Sequence, residues 1–105
     1  MTMKLVLIAT GNAKPLVFDL PNVPSETITR LGSAAHCELR IPGELSRLVG
    51  RTHCMFENRD GMVTIIDAQS GNVMLRNEET IPGPTPLQIG DRIQIGPTLV
   101  FEVRD

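Results

Sequence analysis

The sequence predicts an all-β sandwich, and three observations carry the prediction. Apolar and polar residues alternate in short runs along nearly the whole chain, turn-forming residues interrupt those runs at close intervals, and no segment of useful length repeats apolar residues at helical spacing. Many short strands closed by such turns indicate a sandwich or a barrel.

The strand-like runs are residues 4–9, 14–20, 26–30, 37–41, 53–57, 62–67 and 73–76. The breaks hold Gly11-Asn12, Pro21-Asn22, Pro42-Gly43, Arg59-Asp60-Gly61, Ser70-Gly71 and Ile81-Pro82-Gly83-Pro84. There glycine supplies positive φ, proline fixes φ, and Asn or Asp closes local hydrogen bonds. In residues 37–41 the period of two sets Cys37, Leu39 and Ile41 on one face and Glu38 and Arg40 on the other, the half-buried pattern of an antiparallel sheet. Ile93 and Ile95 point inward by the same rule. Residues 87–96 and 98–103 form a closing hairpin in which a Gly90-Asp91 turn joins two short alternating runs. Only residues 43–49 leave room for a short helical turn.

Composition narrows the function. A chain of 105 residues suits one domain over 1–105, free-standing or cut from a longer protein, and buries roughly 65% of its unfolded surface without a staple. Ten basic and twelve acidic residues, interspersed and summing to −2, give no sustained positive field for a nucleic-acid backbone. Three Phe with no Trp or Tyr leave no stacking platform for single strands. Nucleic acid is therefore not an expected partner. The longest apolar run, residues 5–9, falls far short of the roughly 20 residues a spanning helix needs, and no apolar signal region follows Met1. A cytoplasmic chain without membrane contact from this segment is expected.

His36-Cys37 and His53-Cys54 invite a Cys/His nucleophile or a zinc site. Neighbouring residues of a strand face opposite ways, so neither His activates its adjacent Cys and neither dipeptide turns both ligands to one metal. Paired-cysteine zinc spacing is absent, and both cysteines are expected as buried structural thiols. Asp19, Glu26, Asp60, Asp67 and Asp91 are scattered, with Asp60 and Asp91 in turns. No catalytic set, metal or cofactor is expected, and a small Cys/His hydrolase or zinc protein stands last among three readings.

Four motifs in order resemble forkhead-associated (FHA) domains. Residues 31–41, Leu-Gly-Ser-Ala-Ala-His-Cys-Glu-Leu-Arg-Ile, resemble the family's Gly-Arg-Ser-x-x-Cys-Asp-Ile-x-Leu stretch, with Gly32 kept and Ser33 in place of Arg. Residues 49–53 are similar to Val-Ser-Arg-x-His, with Gly50 for Ser. Residues 67–77 resemble Asp-Leu-x-Ser-Thr-Asn-Gly-Thr-x-Val-Asn, with Gly71 for Thr and Val73 for Gly. Residues 87–96 fit Leu-x-x-Gly-Asp-x-Ile-x-Leu-Gly without gaps.

The resemblance implies an antiparallel β-sandwich of about eleven strands that recognises phosphothreonine peptides through loops at one end. By position it assigns phosphate contact to residues 33, 50 and 71, a structural brace to His53 and a peptide-backbone contact to Asn72. Here Ser33, Gly50 and Gly71 stand at the phosphate positions, so the charged fork and two hydroxyls are missing. Losing a charged contact of this kind costs ~2–5 kcal/mol, against the roughly 8 kcal/mol of a micromolar complex.

The leading expectation is an FHA-type protein-interaction module with little or no dependence on threonine phosphorylation. It would meet a protein or peptide through Gly32, Ser33, Arg47, Gly50, Arg51, Ser70, Gly71 and Asn72. Eroded FHA-like domains of bacterial secretion-system components offer one similar setting. The runner-up is a phosphothreonine reader using displaced arginines from among Arg30, Arg47 and Arg51, with Arg47 the best candidate and Ser33 or Ser46 adding a hydroxyl. Restoring Ser33→Arg with Gly50→Ser is expected to favour phosphopeptide.

Overall fold

The computed structural model describes residues 2–8 and 16–105. Ten strands are present among them: β1 Lys4–Leu7, β2 Val17–Asp19, β3 Thr29–Gly32, β4 Leu39–Arg40, β5 Cys54–Arg59, β6 Met62–Asp67, β7 Met74–Arg76, β8 Thr85–Pro86, β9 Arg92–Ile95 and β10 Leu99–Arg104. They form two five-stranded sheets, ordered β2-β1-β10-β9-β7 and β4-β3-β5-β6-β8. The all-β sandwich is the fold the alternation predicts. Gly43–Leu48 makes a single 3-10 helical turn, in the one place the sequence left for it.

The alternation works because one side of each strand is sealed between the sheets. Leu5, Leu31, Ile41, Phe56, Ile65, Ile93, Ile95, Phe101 and Val103 are fully buried there, each stabilising the fold by ~1.5–3 kcal/mol. Phe18 leans over Phe101 with ring centroids 6.0 Å apart. The inward assignment of Ile93, Ile95, Cys37, Leu39 and Ile41 is correct.

Other expectations are corrected. The last hairpin does not turn at Gly90-Asp91: β9 pairs with β10 across residues 96–98, beginning at Leu99 opposite Ile95, and Gly96 takes the positive φ of +68°. Residues 88–91 instead fold back onto β10, where Gly90 N–H reaches the Val103 carbonyl at 2.8 Å and Val103 N–H reaches the Asp91 carbonyl at 2.8 Å. The sheet is also not wholly antiparallel. β3 and β4 run parallel, Leu31 beside Leu39 and Gly32 beside Arg40. Their contact is only two residues long, so the short connection can loop out and re-enter in the same direction. Run 26–30 begins its strand only at Thr29, and β8 was missed because Pro86 and its neighbours carry no alternation. The ends of two predicted runs, residue 9 and residues 14–15, and the Gly11-Asn12 break lie outside the described residues.

Asp91, expected as a turn former, is a buried hub. Its carboxylate lies 3.0 Å from Arg76 Nε and accepts from Gln88 N–H at 2.8 Å and from Asn77 Nδ2 at 3.1 Å. Burial pushes its pKa up, but the Gln88 amide, Asn77 and Arg76 outweigh that and hold it below the ordinary aspartate range. The contribution is therefore present above about pH 4 and is lost as pH falls through the lowered folded value. Asp91→Ala strands the half-buried Arg76 and is expected to cost about 3 kcal/mol in urea unfolding, with the wild-type advantage disappearing in acid.

Candidate functional site

The β3–β4, β4–β5, β6–β7 and β9–β10 connections meet at one end of the sandwich, and glycine lets the first three approach. A Cβ on Gly32 would lie 2.2 Å from the Arg51 carbonyl oxygen and 2.8 Å from that of Gly50. Backbone packs on backbone at this point, so no larger residue fits. Ser33 N–H donates to the Gly50 carbonyl at 3.0 Å and Ala34 N–H to the Arg51 carbonyl at 3.1 Å, which lock the β3–β4 connection onto residues 50–51. Gly32 and Gly50, both expected at the contact loops, are buried where those loops pack together.

His53 holds the next layer. Its imidazole is fully buried; Nδ1 accepts from Gly50 N–H at 3.0 Å and Nε2 lies 2.7 Å from the Val73 carbonyl oxygen. An amide can only donate and a carbonyl only accept, so the ring is neutral with its proton on Nε2. Its backbone N–H donates to the Leu31 carbonyl at 2.8 Å, and its carbonyl accepts from Ala68 N–H at 3.4 Å. One residue thus ties β3 and the β4–β5 and β6–β7 connections together. Burial lowers the imidazole pKa, against the opposing pull of the Val73 carbonyl and the Asp67 charge.

The three positions that the resemblance assigns to phosphate present little. Ser33 Oγ turns back to the Gly50 carbonyl at 3.3 Å, Gly50 has no side chain, and exposed Gly71 occupies a turn at φ +82°. Ser70 Oγ caps that turn, accepting from Asn72 N–H at 3.3 Å and Asn72 Nδ2 at 3.3 Å. Asn72 itself remains exposed. A Cβ on Gly50 would stand 2.8 Å from Ser70 Cβ, so the serine once expected to restore a hydroxyl must displace this turn.

Of the three arginines named from the sequence, Arg30 is paired and Arg47 and Arg51 are exposed. Arg30 is bound to Glu38, Nη2 to Oε2 at 3.1 Å, and the guanidinium and Arg30 N–H draw the Glu38 carboxyl down to about 2. Arg47 faces sideways into a groove of about 430 Å³ between the 3-10 turn and the β9–β10 turn, lined also by Glu44, Leu45, Leu48, Ile95 and Pro97. Ser46 Oγ is spent on the Gly43 carbonyl at 2.6 Å. Arg51 is exposed. Arg40 was missed: the parallel β3–β4 pairing sets it beside Gly32, and its Nε donates to the Ser33 carbonyl at 3.2 Å. The outward phase of Arg40 was legible, but the strand beside it was not.

The His-Cys pairs separate as chemistry. Cys54 is wholly buried, which drives its thiol pKa far up, and Cys37 Sγ donates to the Arg51 carbonyl at 3.1 Å. His36 Nε2 lies 2.8 Å from Thr52 Oγ1 at the surface.

Comparison with known proteins places this architecture. The FHA domain profile matches residues 29–96. An FHA domain of the Chlamydia trachomatis protein CT664 superposes with a TM-score of 0.79 at 20% identity, covering 100% of this chain and 98% of that one. The yeast Dun1 FHA domain, solved with a doubly phosphorylated peptide, gives 0.74 at 19% identity over 98% and 73%. The FhaA FHA domain, solved with the intracellular domain of Rv3910, gives 0.71 at 20% identity over 97% and 99%. The chain belongs to the FHA family. Its members are protein-interaction modules that usually bind phosphothreonine peptides. No helix among the described residues is long and apolar enough to cross a membrane.

The brace sets a pH dependence. Because the folded pKa of His53 is depressed below the ordinary imidazole value of about 6.5, its contribution is complete above that pH and is lost as pH falls toward the folded value. His53→Ala leaves the Gly50 amide and Val73 carbonyl without their partner and is expected to cost ~1–3 kcal/mol, with the deficit shrinking in acid. Urea titrations of both proteins on either side of neutrality measure this.

Proposed function

We propose that this FHA domain is a non-enzymatic docking module that engages a protein partner through its loop end with little dependence on threonine phosphorylation. One observation carries the reading: the three phosphate-equivalent positions are a serine turned onto backbone and two glycines. A phosphate dianion needs a guanidinium fork and short hydroxyls converging on one point, and Ser33, Gly50 and Gly71 supply neither. Ser70, Asn72, Arg47 and Arg51 are the side chains we assign to partner contact, with Gly32 and Gly50 shaping the loops and His53 bracing them. Residues 1–105 act as one interaction unit, in the cytoplasm, as a scaffold in signalling or secretion.

A second reading, the phosphothreonine reader with a displaced arginine, rests on Arg40 rather than Arg47. Arg40 reaches the main chain of the residue that replaces the family's arginine.

Phosphorylating threonine in a degenerate peptide library is expected to change affinity by less than about tenfold relative to the unphosphorylated twin. Ser33→Arg alone should raise phosphopeptide affinity selectively. Gly50→Ser, by contrast, should now lower stability because of Ser70. A wild-type preference above roughly a hundredfold, abolished by Arg40→Ala, favours the second reading.

A further inference from the structure

Charge is distributed unevenly over this chain in a way its net value conceals. Of eight arginines, five are held by carboxylates: Arg30 by Glu38, Arg59 by Glu57, Arg76 by Asp91, and Arg92 and Arg104 both by Glu102. The remaining three, Arg40, Arg47 and Arg51, have no carboxylate partner among the described residues, and all are exposed. They share one end of the sandwich. Arg40 donates to Ser33, Ser33 N–H bonds Gly50, the neighbour of Arg51, and Arg47 lies three positions before Gly50. Exposed His36 sits against Thr52 on the same loops.

The acidic groups nearby do not cancel this field. Glu38 is taken by Arg30, which leaves Asp67, hydrogen-bonded to Gln69 N–H, and Glu44 in the groove as two carboxylates against three guanidinia. In a chain of net charge −2, the loop end is thus a cationic pole. Unpaired guanidinia attract carboxylates at long range and bind them by paired hydrogen bonds at contact.

We propose that the partner segment is acidic, an unphosphorylated stretch of Asp and Glu whose carboxylates meet Arg40, Arg51 and Arg47. This rests on the phosphorylation-independent reading above and names its partner chemistry. Three arginines without converging hydroxyls respond to the amount of negative charge, not to phosphate geometry. The three Phe and absent Trp and Tyr offer no base stacking, which favours a peptide over a nucleic-acid strand.

The test is fluorescence anisotropy of the full chain with a labelled peptide of alternating Glu and Leu, its Gln twin, a phosphothreonine peptide of equal net charge, and a single-stranded oligonucleotide. The Glu peptide should bind at least about tenfold more tightly than the Gln twin and weaken steeply with salt. Arg40→Gln with Arg51→Gln should remove that advantage, while Arg59→Gln with Arg104→Gln, at carboxylate-paired sites, should leave it. Equal binding of Glu and Gln peptides overturns this inference but leaves phosphorylation-independent docking standing. A charge-matched phosphothreonine peptide preferred by more than about a hundredfold overturns both. Tighter binding of the oligonucleotide, or an equal loss in the Arg59/Arg104 variant, overturns the acidic-peptide assignment.

Discussion

A neutral imidazole sits where three parts of this molecule meet, accepting from Gly50 and donating to the Val73 carbonyl while its own main chain pairs with Leu31. Nothing in the surrounding core can replace it, because the ring is sealed from water and both nitrogens are spoken for. The close approach of Gly32 to Arg51, and of Gly50 to Ser70, lies beside this clamp. At this end main chain is held to main chain by Gly32, Gly50 and His53, while Ser33, Gly50 and Gly71 occupy the positions that the resemblance assigns to phosphate. The two tasks are physically separable. The first depends on buried hydrogen bonds that stabilise the loops with or without a ligand, the second on exposed donors that matter only when a dianion arrives.

How much of this was legible in the sequence follows from which interactions are local. Period-two alternation fixed the inward faces of residues 37–41 and of Ile93 and Ile95, because pleat geometry depends only on neighbours. The Asp60-Gly61 turn between β5 and β6 was equally plain, with φ of 52° and 90° as a two-residue hairpin requires. The Gly90-Asp91 turn looked the same on paper yet joins no strand pair, since Asp91 is drawn inward by Arg76 and Asn77, some fifteen residues away in sequence. The parallel β3–β4 contact was invisible for a like reason, and with it the place of Arg40. Arg30 was misjudged because its partner Glu38 lies across that same contact. His53 as a brace came from the family resemblance; its tautomer required the geometry.

Family membership and the state of the loop end bear on different levels. Alternating strands, a shared topology and the match over residues 29–96 establish an FHA domain. What the domain would hold depends, on the proposed reading, on a handful of exposed side chains, among them Arg40, Arg47 and Arg51. A spread cationic surface tolerates variation in its partner, whereas a converging pocket demands one group in one place. The side groove, apolar apart from Glu44, Arg47 and Thr98, shares Arg47 with this surface.

An uncharged His53 with its proton on Nε2 holds the loop end together. Nitrogen-15 NMR of the histidine rings at neutral pH tests it most directly, because protonated and bare ring nitrogens resonate far apart. A bare Nδ1 and a protonated Nε2 are expected for His53, with a coupling from Nδ1 across the hydrogen bond to the Gly50 amide. A proton on Nδ1, or an imidazolium at that pH, would contradict it.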